Sequence, residues 1–141
     1  MLFPKKVKHR KWQTERSNPK RVRIASRGIT LAFGSYGLKS MTATRIRSNQ
    51  IEAARRVIAR VLGKSGRTWV RVFPDRPYTQ KAAEVPMGKG KGDPQGYEVE
   101  VLPGRMLFEV DGVSETIARE AMRKAGAKLP VKSKFVARDN D

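Results

Sequence analysis

Cysteine is absent from this chain, which excludes disulfides, zinc–thiolate sites and thiol catalysis and fits an intracellular protein. Histidine occurs once, as His9, inside a basic N-terminal run. No Ser/His/Asp set can therefore be assembled around a folded imidazole, and a phosphate or base contact is the better reading of His9. Acidic residues are scarce, 13 Asp and Glu in all, and Glu84, Asp93, Asp111 and Glu115 lack metal-ligand spacing. Aromatic residues make up only 7%. Trp12, Tyr36, Trp69, Phe73 and Tyr78 are scattered, without the aromatic submotif of a single-strand-binding sheet. Trp69 and Phe73 are expected in the core, whereas Trp12, in a segment with no core of its own, is free to stack on RNA. No run of 18 apolar residues exists to span a bilayer. No apolar segment follows MLFPKKVKHRK to make a signal peptide.

What the chain does have is positive charge. Its 31 Lys and Arg give a formal net charge of +18 over 141 residues. Such a field repels copies of itself and holds a polyanion, so nucleic acid is the leading partner. Neither predicted helix has the basic and bulky-apolar faces of a membrane-surface binder. The charge is uneven: residues 1–50 carry 13 basic residues against one acidic, and residues 51–141 carry 18 against 12. This divides the chain into a basic arm over 1–28, a single α+β domain over 29–136 with a long loop over 74–96, and a frayed tail over 137–141. Free in solution, the arm buries too little to offset its chain entropy and is expected to be largely disordered.

Alternation over Ile29–Phe33 predicts a strand, with Gly34-Ser35-Tyr36-Gly37 as a turn and a further extended piece within Leu38–Arg47. SNQIEAARRVIARVLGKSG predicts a helix capped by Asn49 with Glu52 in the capping-box position. Its buried stripe is Ile51, Ala54, Ile58, Val61 and Leu62, and Gly63 ends it. Arg67–Phe73 reads as a strand with Val70 and Val72 on one face and Trp69, Arg71 and Phe73 on the other. Tyr97–Leu102 and Met106–Val110 read as an antiparallel hairpin across Pro103-Gly104-Arg105. A second helix starts near Ser114, with Ile117, Ala118, Ala121, Met122 and Ala125 as its stripe, and Val131–Val136 closes the fold as a strand. The class is α+β, a mostly antiparallel sheet packed with two helices.

Two phosphate-loop mimics fail on spacing. Gly63-Lys64-Ser65 has Ile58 where a nucleoside-triphosphate loop requires glycine, and it follows a helix instead of opening one. The segment from Val85 to Gly96, VPMGKGKGDPQG, is spaced G-x-G-x-G, with Asp93-Pro94 where a dinucleotide-binding helix would begin. It offers bare backbone N–H groups and two mobile ammonium groups, suited to close approach to a nucleic-acid surface.

QIEAARR (Gln50–Arg56), WVRVFPDRP (Trp69–Pro77) and MGKGKG (Met87–Gly92) strongly resemble the bacterial large-subunit ribosomal protein sixteen family. So do MLFPKKVKHRK at the start, AFGSYGL (Ala32–Leu38), PGRMLFEVDGV (Pro103–Val113) and AKLPVKSKFV (Ala127–Val136), together covering nearly the whole chain in order. The resemblance implies a structural protein without catalysis or cofactor, on the ribosome of the bacterial cytoplasm or of an organelle. Its partners would be large-subunit (23S-type) rRNA, tRNA and neighbouring large-subunit proteins, with no membrane and no small-molecule substrate. The family joins the subunit late and lies beside the aminoacyl-tRNA site. On this reading rRNA is met by Lys5, Lys6, Lys8, Arg10, Lys11, Arg16, Lys20, Arg21 and Arg23 in the arm. In the domain, Arg45, Arg47, Arg55, Arg56, Arg60, Arg71 and Arg76 are expected on rRNA. Met87, Gly88, Lys89, Gly90, Lys91 and Gly92 would face tRNA and the peptidyl transferase region. The pattern departs at Pro86, where the family usually has arginine, and over Trp12–Arg27, where the family is richer in glycine. Two other classes remain open: a nucleoid-type DNA binder, and an enzyme holding a phosphate ligand in the glycine loop.

Overall fold

A computed structural model describes residues 1–13, 20–21, 23–88 and 90–138. In chain order the elements are β1 (Tyr36–Ser40), β2 (Thr44–Arg47), α1 (Ser48–Leu62), β3 (Arg67–Val70), β4 (Arg76–Gln80), β5 (Asp93–Val101), β6 (Met106–Asp111), α2 (Glu115–Gly126) and β7 (Ser133–Ala137). The fold is α+β with every strand pair antiparallel. Instead of one sheet there are two, ordered β3-β6-β1-β7 and β2-β5-β4.

Helix α1 forms where the apolar spacing predicts it, burying Ile51, Ala54, Ile58 and Leu62. It begins one residue before Asn49, and Gln50, not Glu52, reaches back to the helix start, its Oε1 accepting from the Arg47 N–H at 2.9 Å. Glu52 is drawn away by Arg55 and Arg56. Gly63, at φ 65°, ends the helix with its N–H on the Ala59 carbonyl. In α2 the buried residues are Ala118, Ala121, Met122 and Ala125. These alanines let α1 and α2 approach closely, and both helices pack on one face of the four-stranded sheet. Each fully buried side chain such as Ile58 contributes about 1.5–3 kcal/mol.

The register shows which sheet face is which. Leu38, Phe108 and Val70 lie opposite one another on β1, β6 and β3, and they point into the helical core. One residue along, Gly37, Glu109 and Trp69 form the row on the other face. That second face is covered by the chain that precedes β1. Leu31 Cδ2 lies 2.5 Å from where a Cβ on Gly37 would stand, so only glycine lets the segment down onto the sheet. Ile29–Phe33 is consequently not a strand. Its backbone donors converge on a side chain instead of a neighbouring strand, and Gly37 belongs to β1 instead of a turn.

Leu38–Arg47 resolves into two strands belonging to different sheets. The expected hairpin between 97–102 and 106–110 does not form. β5 pairs with β2 and β4, and β6 with β1 and β3. The three-residue link is held by Ser40 instead: the Gly104 N–H donates to the Ser40 carbonyl and the Ser40 N–H to that of Arg105, each at 2.8 Å. The link, with Gly104 at φ 100°, turns a corner between sheets. The expected loop over 74–96 is shortened to 81–92. Arg76-Pro77 opens β4, an edge strand, and Asp93-Pro94 opens β5 ahead of the residues that pair with β2, so in neither place is the missing proline N–H needed by a second neighbour. Ala137 belongs to β7 and the Arg138 N–H donates to Ser35. Of the expected frayed tail, 139–141 lie outside the described residues. Phe73, expected in the core, is 45% exposed, and Trp69 is only half-buried.

Candidate nucleic-acid interface

Two basic segments far apart in sequence meet in the fold. The Lys11 Nζ donates to the Lys91 carbonyl at 3.2 Å, and the Lys91 Nζ donates to the Trp12 carbonyl. Arm and loop thus exchange lysine donors across 80 positions. The Arg76 guanidinium fixes the same junction, lying 5.6 Å from the Trp12 ring centre and donating to the Gln13 carbonyl at 3.1 Å. Lys81 folds the loop back on itself by donating to the Gly88 carbonyl. Gly88 and Gly90, at φ 104° and 99°, have no neighbour where a side chain would stand. The loop is therefore open on its outer side, with Met87 94% exposed. Lys5, Lys6, Lys8, Arg10 and Lys11 are all exposed on the arm, as are Lys20, Arg21 and Arg23. Arg16 and Lys89 lie outside the described residues.

The domain's expected contact residues separate into two groups. Arg47, Arg56 and Arg60 are exposed, Arg47 packing its guanidinium 4.6 Å from the Tyr78 ring centre. Arg45 stands 3.8 Å from Glu98, and Arg55 donates from Nε to Glu52 at 3.0 Å. The Arg55 hydrogen bond holds the Glu52 carboxyl down at about 2, against the opposing effect of burial. Arg71 and Arg76 differ from these surface cations. Arg76 is 8% exposed and serves the arm junction. Arg71 is ion-paired to Glu109, which leaves its charge already compensated within the protein.

Glu109 is the centre that sequence reasoning missed. It is fully buried. One carboxylate oxygen accepts from the backbone N–H groups of Ala32, Phe33 and Gly34 at 2.8, 3.0 and 3.2 Å, and the other accepts from Arg71. Burial pushes its pKa up, but Arg71 and the three backbone donors outweigh that and hold it below the usual carboxylate range. The available signal was a lone acid inside the apolar run MLFEV: such a charge needs a partner.

Glu52, Glu98, Glu100, Glu109, Glu115 and Glu120 all pair within the fold. With 31 Lys and Arg against 13 Asp and Glu, such pairing still leaves a large cationic excess. Among the described residues no cluster of His, Cys, Asp and Glu could hold a metal ion, and no helix is long and apolar enough to cross a membrane.

Residues 4–136 match the family model described as ribosomal protein L16p/L10e. The chain belongs to that family. It is similar to the large ribosomal subunit protein uL16 of Afipia carboxidovorans, at 54% identity over 138 residues covering 98% of each chain. Membership in the L16p/L10e family makes the protein a structural ribosomal component and not an enzyme. It also closes the enzyme reading of the glycine loop.

Proposed function

We propose that this protein is a constituent of the large ribosomal subunit, held on large-subunit rRNA by its arm and the exposed arginines of α1. Loop 81–92 would be turned toward tRNA beside the aminoacyl site and the peptidyl transferase region. The observation that supports this most directly is the junction at Lys11, Trp12 and Lys91. It brings the basic arm and the lysine-bearing glycine loop, both largely exposed, into one surface. Among the described residues, the lysine ammonium groups at that junction bond to carbonyl oxygens. A phosphate oxygen is a stronger, charge-assisted acceptor, so RNA can displace those carbonyls without breaking any buried pair. Lys5, Lys6, Lys8, Arg10, Lys11, Arg47, Arg56 and Arg60 supply affinity through phosphate, and folded RNA shape supplies selectivity. Arg71 and Arg76 shape the surface from inside. The Afipia carboxidovorans relative, a large ribosomal subunit protein, supports the same assignment.

Co-sedimentation tests the assignment. The protein should travel with large subunits in moderate salt and be absent from small ones, and it should add to precursor particles at a late stage. With about eight phosphate contacts, log K for rRNA should fall with log salt at a slope of roughly −6 to −7. Replacing Lys5, Lys6, Lys8 and Lys11 by glutamine should flatten that slope. Lys91→Gln should instead spare incorporation and slow elongation. A flat salt response, or duplex DNA competing as well as rRNA, would overturn the assignment in favour of a general polyanion or DNA binder.

A further inference from the structure

The sheet face turned away from the helices carries a feature that phosphate binding does not use. Phe33 is 57% exposed, although it sits in the middle of the segment that covers that face. Its ring is stacked on Trp69, with centroids 6.0 Å apart and planes at 19°. The Arg71 guanidinium lies 5.3 Å from the Phe33 ring centre. Arg71 directly follows edge strand β3, its N–H still on the Leu107 carbonyl at 2.9 Å, so it projects from the same sheet face as Trp69, two residues before it. The Phe33 ring rests against both, while more than half of the residue stays exposed.

This ring is also held in place. The carboxylate of Glu109 accepts from the Phe33 N–H and from both flanking N–H groups through one oxygen, and anchors Arg71 through the other. A single buried anion thus fixes the backbone beneath Phe33 and the cation beside its ring. A large aromatic face left in water on a rigid mount has its ordering cost already met, which is how a stacking surface is built. The rim is cationic. Arg67 is exposed on the same face of β3 by alternation. Arg138 is exposed and donates to the Leu31 carbonyl at 3.4 Å, two residues from Phe33.

We propose that the outer face of Phe33 is a stacking platform for one unpaired nucleobase of large-subunit rRNA, with Arg67 and Arg138 taking the flanking phosphates. An apolar protein side chain could cover a bare ring. A ring bordered by arginines, on a chain of net charge +18, instead complements a base attached to a phosphate backbone. The proposal rests on the rRNA-binding reading above and specifies one site within it.

The test uses the full chain, large-subunit rRNA and two substitutions. Phe33→Tyr preserves the ring and should bind within twofold of the unsubstituted protein. Phe33→Leu preserves apolar bulk but not the π-face, and should bind about tenfold more weakly, as the loss of one stacked base implies. Thermal unfolding of both variants checks that the fold survives. If Phe33→Leu fails to fold, ultraviolet cross-linking of the unsubstituted protein to rRNA decides the matter. A nucleotide attached to the peptide containing Phe33 supports the platform; no adduct there, or an adduct with another protein in assembled subunits, overturns it. Equal affinity of a folded Phe33→Leu variant removes the stacked base while leaving rRNA binding intact. Failure of the unsubstituted protein to bind rRNA removes both.

Discussion

Replacing Glu109 by alanine tests the organising role of this carboxylate most sharply. The substitution removes the acceptor for three backbone donors and the counter-charge of Arg71, whose side chain is 17% exposed. Breaking a buried ion pair from one side costs about 3–5 kcal/mol, because the remaining charge is stranded. Ala32 and Phe33 are exposed and their N–H groups can turn to water, but Gly34 is buried. Its unpaired N–H adds about 1–3 kcal/mol. Against a total stability of about 5–15 kcal/mol for a domain, the variant should be marginally folded. Urea unfolding followed by Trp69 fluorescence measures the loss directly. Glu109→Gln keeps an acceptor for the backbone and should lose less, about 2 kcal/mol, the worth of a charged hydrogen bond. Adding Arg71→Met to Glu109→Leu should recover much of the loss, since an apolar pair replaces the ion pair. The pH dependence has a definite sign. Glu109 has a folded pKa below its unfolded value, so its contribution is complete above the ordinary glutamate range and disappears as pH falls through the folded value. The stability gap between the unsubstituted protein and Glu109→Gln should therefore close on acidification. A Glu109→Ala loss below about 1 kcal/mol would refute the reasoning, since it would mean the pair contributes no more than a surface one.

Two further substitutions probe the close approach and the junction. A Cβ on Gly34 would stand 2.5 Å from the Val110 carbonyl oxygen, so Gly34→Ala should destabilise by about 1–3 kcal/mol in the same urea assay; no change would show that the segment can lift away. Lys91→Ala removes the donor to the Trp12 carbonyl, and limited proteolysis should then cut the arm faster while the domain's unfolding midpoint stays put. An unchanged cutting rate would show that the arm is held elsewhere.

The helices were readable because their signal is local. Ile51, Ala54 and Ile58 fall on one stripe whatever they pack against, and so do Ala118, Ala121 and Met122. The strand runs were readable for the same reason, but their partners were not. The alternation of YEVEVL and the apolar run of MLFEV each describe a strand without naming its neighbour, and so could not reveal that a three-residue link joins two sheets instead of closing a hairpin. Ile29–Phe33 failed more instructively. Its alternation was real, yet its last two backbone donors were taken by a carboxylate 76 and 77 positions away.

The site divides along the same line. Surplus charge, the absence of cysteine and of a folded histidine, and a loop of glycine and lysine are compositional, and they pointed to a polyanion without any coordinates. Ordered motifs along nearly the whole chain pointed to the family that the comparisons then showed. Which cations are available was beyond the sequence. Arg56 and Arg71 look alike as letters, but one is exposed on a helix and the other is committed to a buried glutamate. Likewise, only the fold brings Lys11 to Lys91 and leaves Phe33 facing outward on Trp69. Composition and periodicity are sums over neighbours in the chain. Pairing of charges and exposure of rings depend on residues that become neighbours only after the chain has closed on itself.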